Sequence, residues 1–449
     1  MTIISRRNML KATAATAALF DFNPAFSQVN SYTPADLRNQ LTPLGAERAG
    51  NADGSIPAWT GGYSGEKSIP FLDEKPILTI TAENAAQYRG KLAVGAMEMF
   101  KRYPDYRIDV YPTHRTAIAP QYVYDNTLKN ATRAQISADG NSISGAYGGT
   151  PFPIPVNGHQ VIWNHLLAWK GTTMNNPNVA YTVTSSGTLQ LASRAQAVTA
   201  YPYYYPDGES TFDGYYMKII SRITAPPYMA GGGTLQMQPI NPIQQPPRGW
   251  QYLAGQRRTR EAPELQYDTP NFFSDGVGDF DEYQIFWGAM NEYNFQLIGK
   301  KEMYVPYNMN KALGVSADEQ LKTHFFSPDY ARWELHRVWV VEMTLKAGSR
   351  NVDARRTMYV DEDTWNALLC DIYDSSGELW KFIFSVPLIM PDIPCLLGST
   401  YTLLHDLHAD VYATFNGMDS SIHDPWQPIP QKPAVFFSPG QLAALAGGM

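Results

Sequence analysis

Along most of this chain, apolar and polar residues alternate with period two. Tyr215, Met217, Ile219 and Ile223 fall on one side of an extended segment, with Lys218 and Arg222 on the other. Trp333, Leu335, Trp339, Val341, Met343 and Leu345 repeat the pattern, interrupted by Arg337. Trp380, Phe382, Phe384 and Val386 stand opposite Lys381. One greasy face per strand predicts an antiparallel sheet covered on one side. Residues 355–384 read as a meander: strands over 356–360 and 368–373, then a turn at Asp374-Ser375-Ser376-Gly377 into a third strand. Helical spacing is rarer. Ala85, Tyr88, Leu92, Met99 and Tyr103 follow a Thr81 cap and stop at Pro104. A second helix fits residues 159–170, with Ile162, Leu166 and Trp169 on its apolar face and Gly171 as its C-terminal cap. Residues 28–80 show no period and many turn formers, the pattern of an ordered arm lying against the body. The proline-rich stretch 239–247 is either a linker or a long loop across the sheet.

The N-terminus changes the picture of compartment. Ser5-Arg6-Arg7-Asn8-Met9-Leu10-Lys11 precedes a short, alanine-rich apolar run, and Ala25-Phe26-Ser27 has the small-x-small form of a cleavage site. This is a secretory signal, twin-arginine-like, cleaved after Ser27, and it predicts a periplasmic protein. No later segment is long and apolar enough to span a bilayer. Removing the signal takes away three cations and one anion from a formal net charge of −7, leaving −9. An acidic chain without a basic block argues against nucleic-acid binding. Charged residues make up only 17% and aromatics 13%, which together favour sheet with long ordered loops. Cys370 and Cys395 are the only cysteines, either a disulfide or two buried thiols, and too few for an all-cysteine zinc site.

Several long strings resemble one family. They are residues 41–47 (LTPLGAE), 50–62, 111–117 (YPTHRTA), 149–155 (GTPFPIP), 162–167 (IWNHLL), 256–258 (QRR), 267–270 (YDTP), 299–307 (GKKEMYVPY) and 359–365 (YVDEDTW). The chain resembles the group catalogued as domain of unknown function 1329 over nearly all of its mature length. The resemblance implies a fold similar to the Lol-type lipoprotein carriers. That fold is α+β, a large, strongly curved antiparallel sheet left as an unclosed barrel, with helices plugging the concave face. It also implies a hydrophobic ligand in the concavity, and an outer-membrane protein or a resistance-nodulation-division exporter as partner. No catalytic residue and no cofactor follow from it. The expected organisation is a signal at 1–27, an irregular arm plus amphipathic helix at 28–105, and a curved-sheet body at 106–449, one domain with the arm.

Four constellations bear on chemistry. Asp406, His408 and Asp410 would share one face of a strand, with His405 opposite, either a weak metal set or a solvated polar face. Asp275, Asp279, Asp281 and Glu282, around Gly276 and Gly278, read as an acidic solvated loop rather than a calcium site. Arg257 and Arg258, with Arg260 nearby, either meet an anionic head group or pair with Glu261, Glu264 and Asp268 in a surface network. The aromatic stripes carry the main expectation, a hydrophobic pocket lined by Trp333, Leu335, Trp339, Val341, Met343, Trp380, Phe382, Phe384, Met217 and Ile219. The function expected is therefore a non-catalytic periplasmic carrier for a hydrophobic or lipid-like molecule serving an envelope export system. The alternatives are an exported metalloenzyme using Asp406, His408 and Asp410, and a structural adaptor of an envelope exporter.

Overall fold

The computed structural model describes residues 32–63, 65, 69, 71–265, 267–422 and 426–447. The predicted signal lies outside these residues. Seventeen strands form one sheet, and thirteen of them make two meanders. The first contains β1 (Asn178–Val183), β2 (Leu189–Ala200), β3 (Tyr215–Ala225), β4 (Gly233–Pro239), β5 (Arg248–Leu253) and β6 (Arg258–Glu261). The second contains β7 (Tyr293–Pro306), β8 (Trp333–Leu345), β9 (Arg355–Asp361), β10 (Ala367–Tyr373), β11 (Leu379–Ser385), β12 (Thr402–Asp406) and β13 (Val411–Phe415). Each strand pairs antiparallel with the next inside its meander, and β13 pairs with β1 through Tyr412↔Val183 and Ala413↔Thr182. The order is thus β7 through β13, then β1 through β6. The sheet is unclosed, with β7 and β6 at its ends. Hydrogen bonding between neighbours in sequence explains why short turns such as residues 374–377 suffice to build most of it.

The strands are covered on both faces, not on one as their alternation predicts. Every residue from Trp333 to Val341 is buried. From β8 to β11 the polar face is mostly not solvated, because it meets helices and buried partners, whereas Arg258, Arg260 and Glu261 of β6 and Asn294 and Gln296 of β7 stay exposed. Helix α1 (Val94–Arg102) lies on β10 and β11. Its first N–H groups, on Val94 and Gly95, donate to the Asp371 carboxylate at 3.0 and 2.7 Å. A Cβ on Gly95 would sit 2.2 Å from the Phe382 ring, so glycine is required for this approach. The single helix expected from Thr81 to Tyr103 is two pieces. Thr81 ends a strand paired with Arg107, a 3₁₀ turn runs Ala85–Lys91, and extended backbone at Ala93 precedes α1. Helix α2 (Gln121–Arg133) buries Val123, Thr127 and Asn130, a partly polar face that hid it from a hydrophobic reading. Helix α3 (Gly158–Leu166) starts on an Asn157 cap and stops four residues short of the expected end. Helix α4 (Pro439–Gly447) covers the outer face of the first meander, burying Leu442 and Ala446 against Ile220, Leu235, Trp250 and Tyr252. Residues 240–247 form the loop between the paired strands β4 and β5.

Candidate functional site

The segment 271–292 lies across the inner face of the sheet as a plug. Phe280, Phe286 and Trp287 are buried in it, and Tyr283 is pressed against the core. A cavity of about 50 Å³ lies between the plug and the strands, lined by Ala180, Ile219, Phe273, Tyr283, Trp287 and Phe415. The acidic run expected to be solvated holds this plug in place. Lys381 Nζ on β11 lies 2.6 Å from Glu282, 3.0 Å from Asp279 and 3.4 Å from Asp353. Arg356 on β9 reaches Asp281 and Asp353, each at 2.7 Å, between the rings of Phe286 and Tyr293. Asp275 alone stays at the surface. Burial pushes the carboxyls of Asp281 and Glu282 above the usual range, and the two cations only partly counter it. His165 on α3 completes the fastening. Its Nδ1 accepts the Ala367 N–H and its Nε2 donates to the Phe286 carbonyl, and burial lowers its pKa to about 3, so the ring is neutral.

The ten residues expected to line one pocket do not meet in one place. Phe382 and Phe384 align through β10 and β9 with Glu342 and Val340, so they face opposite to Trp339, Val341 and Met343. Phe382 lies under α1, and Phe384 packs against Phe326 and Trp333. Trp339 stacks on Trp365 with centroids 6.0 Å apart. Trp380 is half-buried beside His408. Leu335 and Met217 are core residues, and of the ten Ile219 alone borders the inner cavity. Asp406, His408 and Asp410 do not share a strand face, because residues 407–410 form the tight turn between β12 and β13. Asp406 Oδ1 is committed to the N–H groups of His408 and Ala409 and to Trp380 Nε1. His405 is buried and held neutral by desolvation, its pKa lowered to about 4. Arg257 and Arg258 are exposed near the β5–β6 hairpin, where Arg248 meets Glu261 and Arg260 meets Glu264, both at 3.3 Å. Both cysteines are free, buried thiols.

Most of the strings that carry the family resemblance converge where the arm docks. Arg115 forks onto Asp363 at 2.6 and 2.9 Å and also donates to the carbonyls of Glu47, Arg48 and Pro57. Lys300 bridges Glu47 and Glu362 at 2.9 and 2.8 Å, and Arg337 adds Glu362 and the Ala49 carbonyl. Trp365, buried with a left-handed φ of 62°, donates its indole N–H to the Leu44 carbonyl. Gly45 has φ 104°, and a Cβ there would lie 2.2 Å from the Pro153 carbonyl oxygen. Glu334 collects four donors, from Arg332, Asn308, the His114 N–H and His336. Burial raises its pKa, but His336 and Arg332 more than offset this and hold it below the usual range. The composition of this cluster was visible as scattered motifs, but their meeting point was not.

An open groove of about 480 Å³ lies beside the plug, at the mouth of the inner face. Trp163 and Leu166 of α3, Tyr216, Pro242, Ile243 and Met290 are among its walls. The loop expected as linker or crossing loop forms its lip, with Ile243 left 69% exposed. Trp287 borders the inner cavity and residues 288–291 border the groove, so one short segment separates the two spaces. Apolar walls with a few polar groups (Asn141, Gln238, Asn291) suit an apolar guest better than a charged one.

The family described as Protein of unknown function (DUF1329) matches residues 79–443. The uncharacterized protein PA3922 of Pseudomonas aeruginosa is 41% identical over 368 residues, 79% of this chain and 80% of that protein. Among solved structures, a DUF1329 family protein of Desulfovibrio piger is 14% identical, with a TM-score of 0.40 over 61% of this chain and 92% of that one. A putative outer membrane lipoprotein-sorting protein domain of Vibrio parahaemolyticus is 10% identical, with a TM-score of 0.42 over 63% and 97%. The chain belongs to the DUF1329 family.

Proposed function

We propose that this member of the DUF1329 family is a periplasmic, non-catalytic binding protein that carries a hydrophobic or lipid-like molecule. The groove beside the plug is the observation that carries this reading. Its volume lies within the range of small-molecule sites, and its walls are mainly aromatic, proline and aliphatic. Burying about a dozen methylenes contributes on the order of 10 kcal/mol before association costs. The signal-like N-terminus supports the periplasm as the compartment. The metalloenzyme reading loses its support, because Asp406 is spent on turn hydrogen bonds. An outer-membrane protein or an envelope exporter is the receiver that a carrier of this kind calls for.

Titration of the purified protein with a fluorescent fatty acid tests the reading. Saturable one-site binding is expected, and Ile243→Asp, at an exposed position that does not endanger the fold, weakens it about tenfold. A wild-type protein that never saturates would falsify the carrier reading. Equal affinity in the variant removes the guest from this groove.

A further inference from the structure

Within the arm-docking cluster, His336 of β8, Asp361 at the end of β9 and Asp363 in the following turn bring one potential ligand atom each within 4.8 Å of one another. All three are at least 97% buried by side-chain or residue exposure. His336 Nδ1 stands 4.0 Å from Asp363 Oδ2, too far for a hydrogen bond. Two bonds of about 2.0–2.2 Å at a tetrahedral angle hold their atoms about 3.4 Å apart, so the pair would close by about half an ångström on one shared ion.

A second observation points the same way. Asp361 is fully buried, and its Oδ1 has no hydrogen-bond partner among the described residues. Its other oxygen, Oδ2, takes the Thr364 N–H, the Thr364 hydroxyl and the Tyr307 hydroxyl. An unpaired buried carboxylate oxygen is costly, and an ion would relieve it. The surroundings orient each group as a ligand. His336 Nε2 lies 3.1 Å from Glu334, which is fixed by Arg332 and Asn308, and this leaves Nδ1 as the ligating atom. Asp363 is aimed by the Arg115 fork.

The carboxylates of the cluster outnumber its permanent cations by two, with His114 beside Glu74 and His336 beside Glu334. The connected cluster holds six carboxylates (Glu47, Glu74, Glu334, Asp361, Glu362, Asp363) against four permanent cations (Arg115, Lys300, Arg332, Arg337). We propose that His336, Asp361 and Asp363 bind one divalent first-row cation of the zinc class, which joins β8 to the turn after β9 on which the arm docks. One nitrogen and two carboxylate oxygens suit such an ion. Because Trp365 in the same turn holds the Leu44 carbonyl, binding stabilises the arm as well as the β9–β10 connection.

The test uses full-length protein stripped with a mild chelator and titrated with zinc sulfate alone at pH 7. Wild type is expected to take up one equivalent by calorimetry and to melt at a higher temperature as zinc is added. Asp361→Asn keeps the size of the side chain and is expected to weaken uptake at least about tenfold while leaving the circular dichroism unchanged. His336→Gln should do the same. His408→Ala, which alters the surface group of half-buried Asp374 with exposed Glu378 and His408, should leave uptake intact. No stoichiometric uptake by wild type, undiminished uptake by Asp361→Asn, or loss of uptake in His408→Ala each overturns the assignment.

Discussion

The molecule buries two clusters of carboxylates, and they differ in what stands between the acids. Under the plug, Asp279, Glu282 and Asp353 surround an ammonium, and Lys381 Nζ lies within 3.4 Å of all three. At the docked arm, among the described residues, no cationic side chain stands between His336, Asp361 and Asp363 as Lys381 does under the plug. Arg115 grips Asp363, and Asp361 Oδ1 goes unpartnered. Grouped acids alone therefore do not define an ion site. The plug cluster carries its counter-ion in the sequence, and the arm cluster is built to receive one. The plug is fastened by charge within the chain, while the arm is fastened mostly by backbone carbonyls that any ordered arm would offer.

The strongest way to break this comparison is to remove the built-in ion. Lys381→Met leaves three buried carboxylates without their shared cation. A loss of about 3–5 kcal/mol is expected in urea unfolding, because breaking a buried pair by deleting one partner strands the other charge. A loss below about 1 kcal/mol would mean that the plug is held by its aromatic contacts alone. In that case, the contrast between the clusters would have no energetic meaning.

The pairing of distant residues also explains how much could be read beforehand. The strands at 333–345, 355–361 and 367–373 are legible because period two and the turn at Asp374 to Gly377 are local signals. The identity of the covered face is not local. Parity along one strand says nothing about parity on the next until the register is known, which is why Phe382 and Trp339 were expected in one pocket and lie on opposite faces. The acidic run 275–282 read as solvated because Arg356 and Lys381 follow it by 75 to 102 residues. Asp406 to Asp410 read as strand because a hairpin turn made of Asp, His and Ala lacks the usual glycine. Of the groove, only the prolines of its lip announced themselves.

A third buried acid sharpens the contrast by having, among the described residues, no cation in ion-pair contact with it, Arg355 and Lys301 acting on it only from farther off. Asp371 accepts the first N–H groups of α1 and the Tyr359 hydroxyl, and burial still pushes its pKa up to about 6. The native state therefore holds this proton more tightly than the unfolded chain, whose carboxyl titrates near 3.8. The proton's stabilising contribution is complete below that lower value and fades as pH rises through 6. About 2–3 kcal/mol is lost between pH 4 and pH 7 from this group. Asp371→Asn should flatten that part of the profile, read as the difference in unfolding free energy from wild type at the two pH values. Parallel profiles would show that the helix N-terminus fully supports the charge.

The smallest effect is the most discriminating between the two clusters. In chelator-treated protein, Asp361→Asn removes a charge whose Oδ1 has no donor, and its replacement keeps an oxygen for Thr364 and Tyr307. The expected change in unfolding free energy is less than about 1 kcal/mol, against several for Lys381→Met. With zinc present, the same substitution should forfeit the added thermal stability. A change that is equally large with and without zinc would mean that Asp361 serves only the fold. The arm cluster would then be a second self-neutralised network like the one beneath the plug.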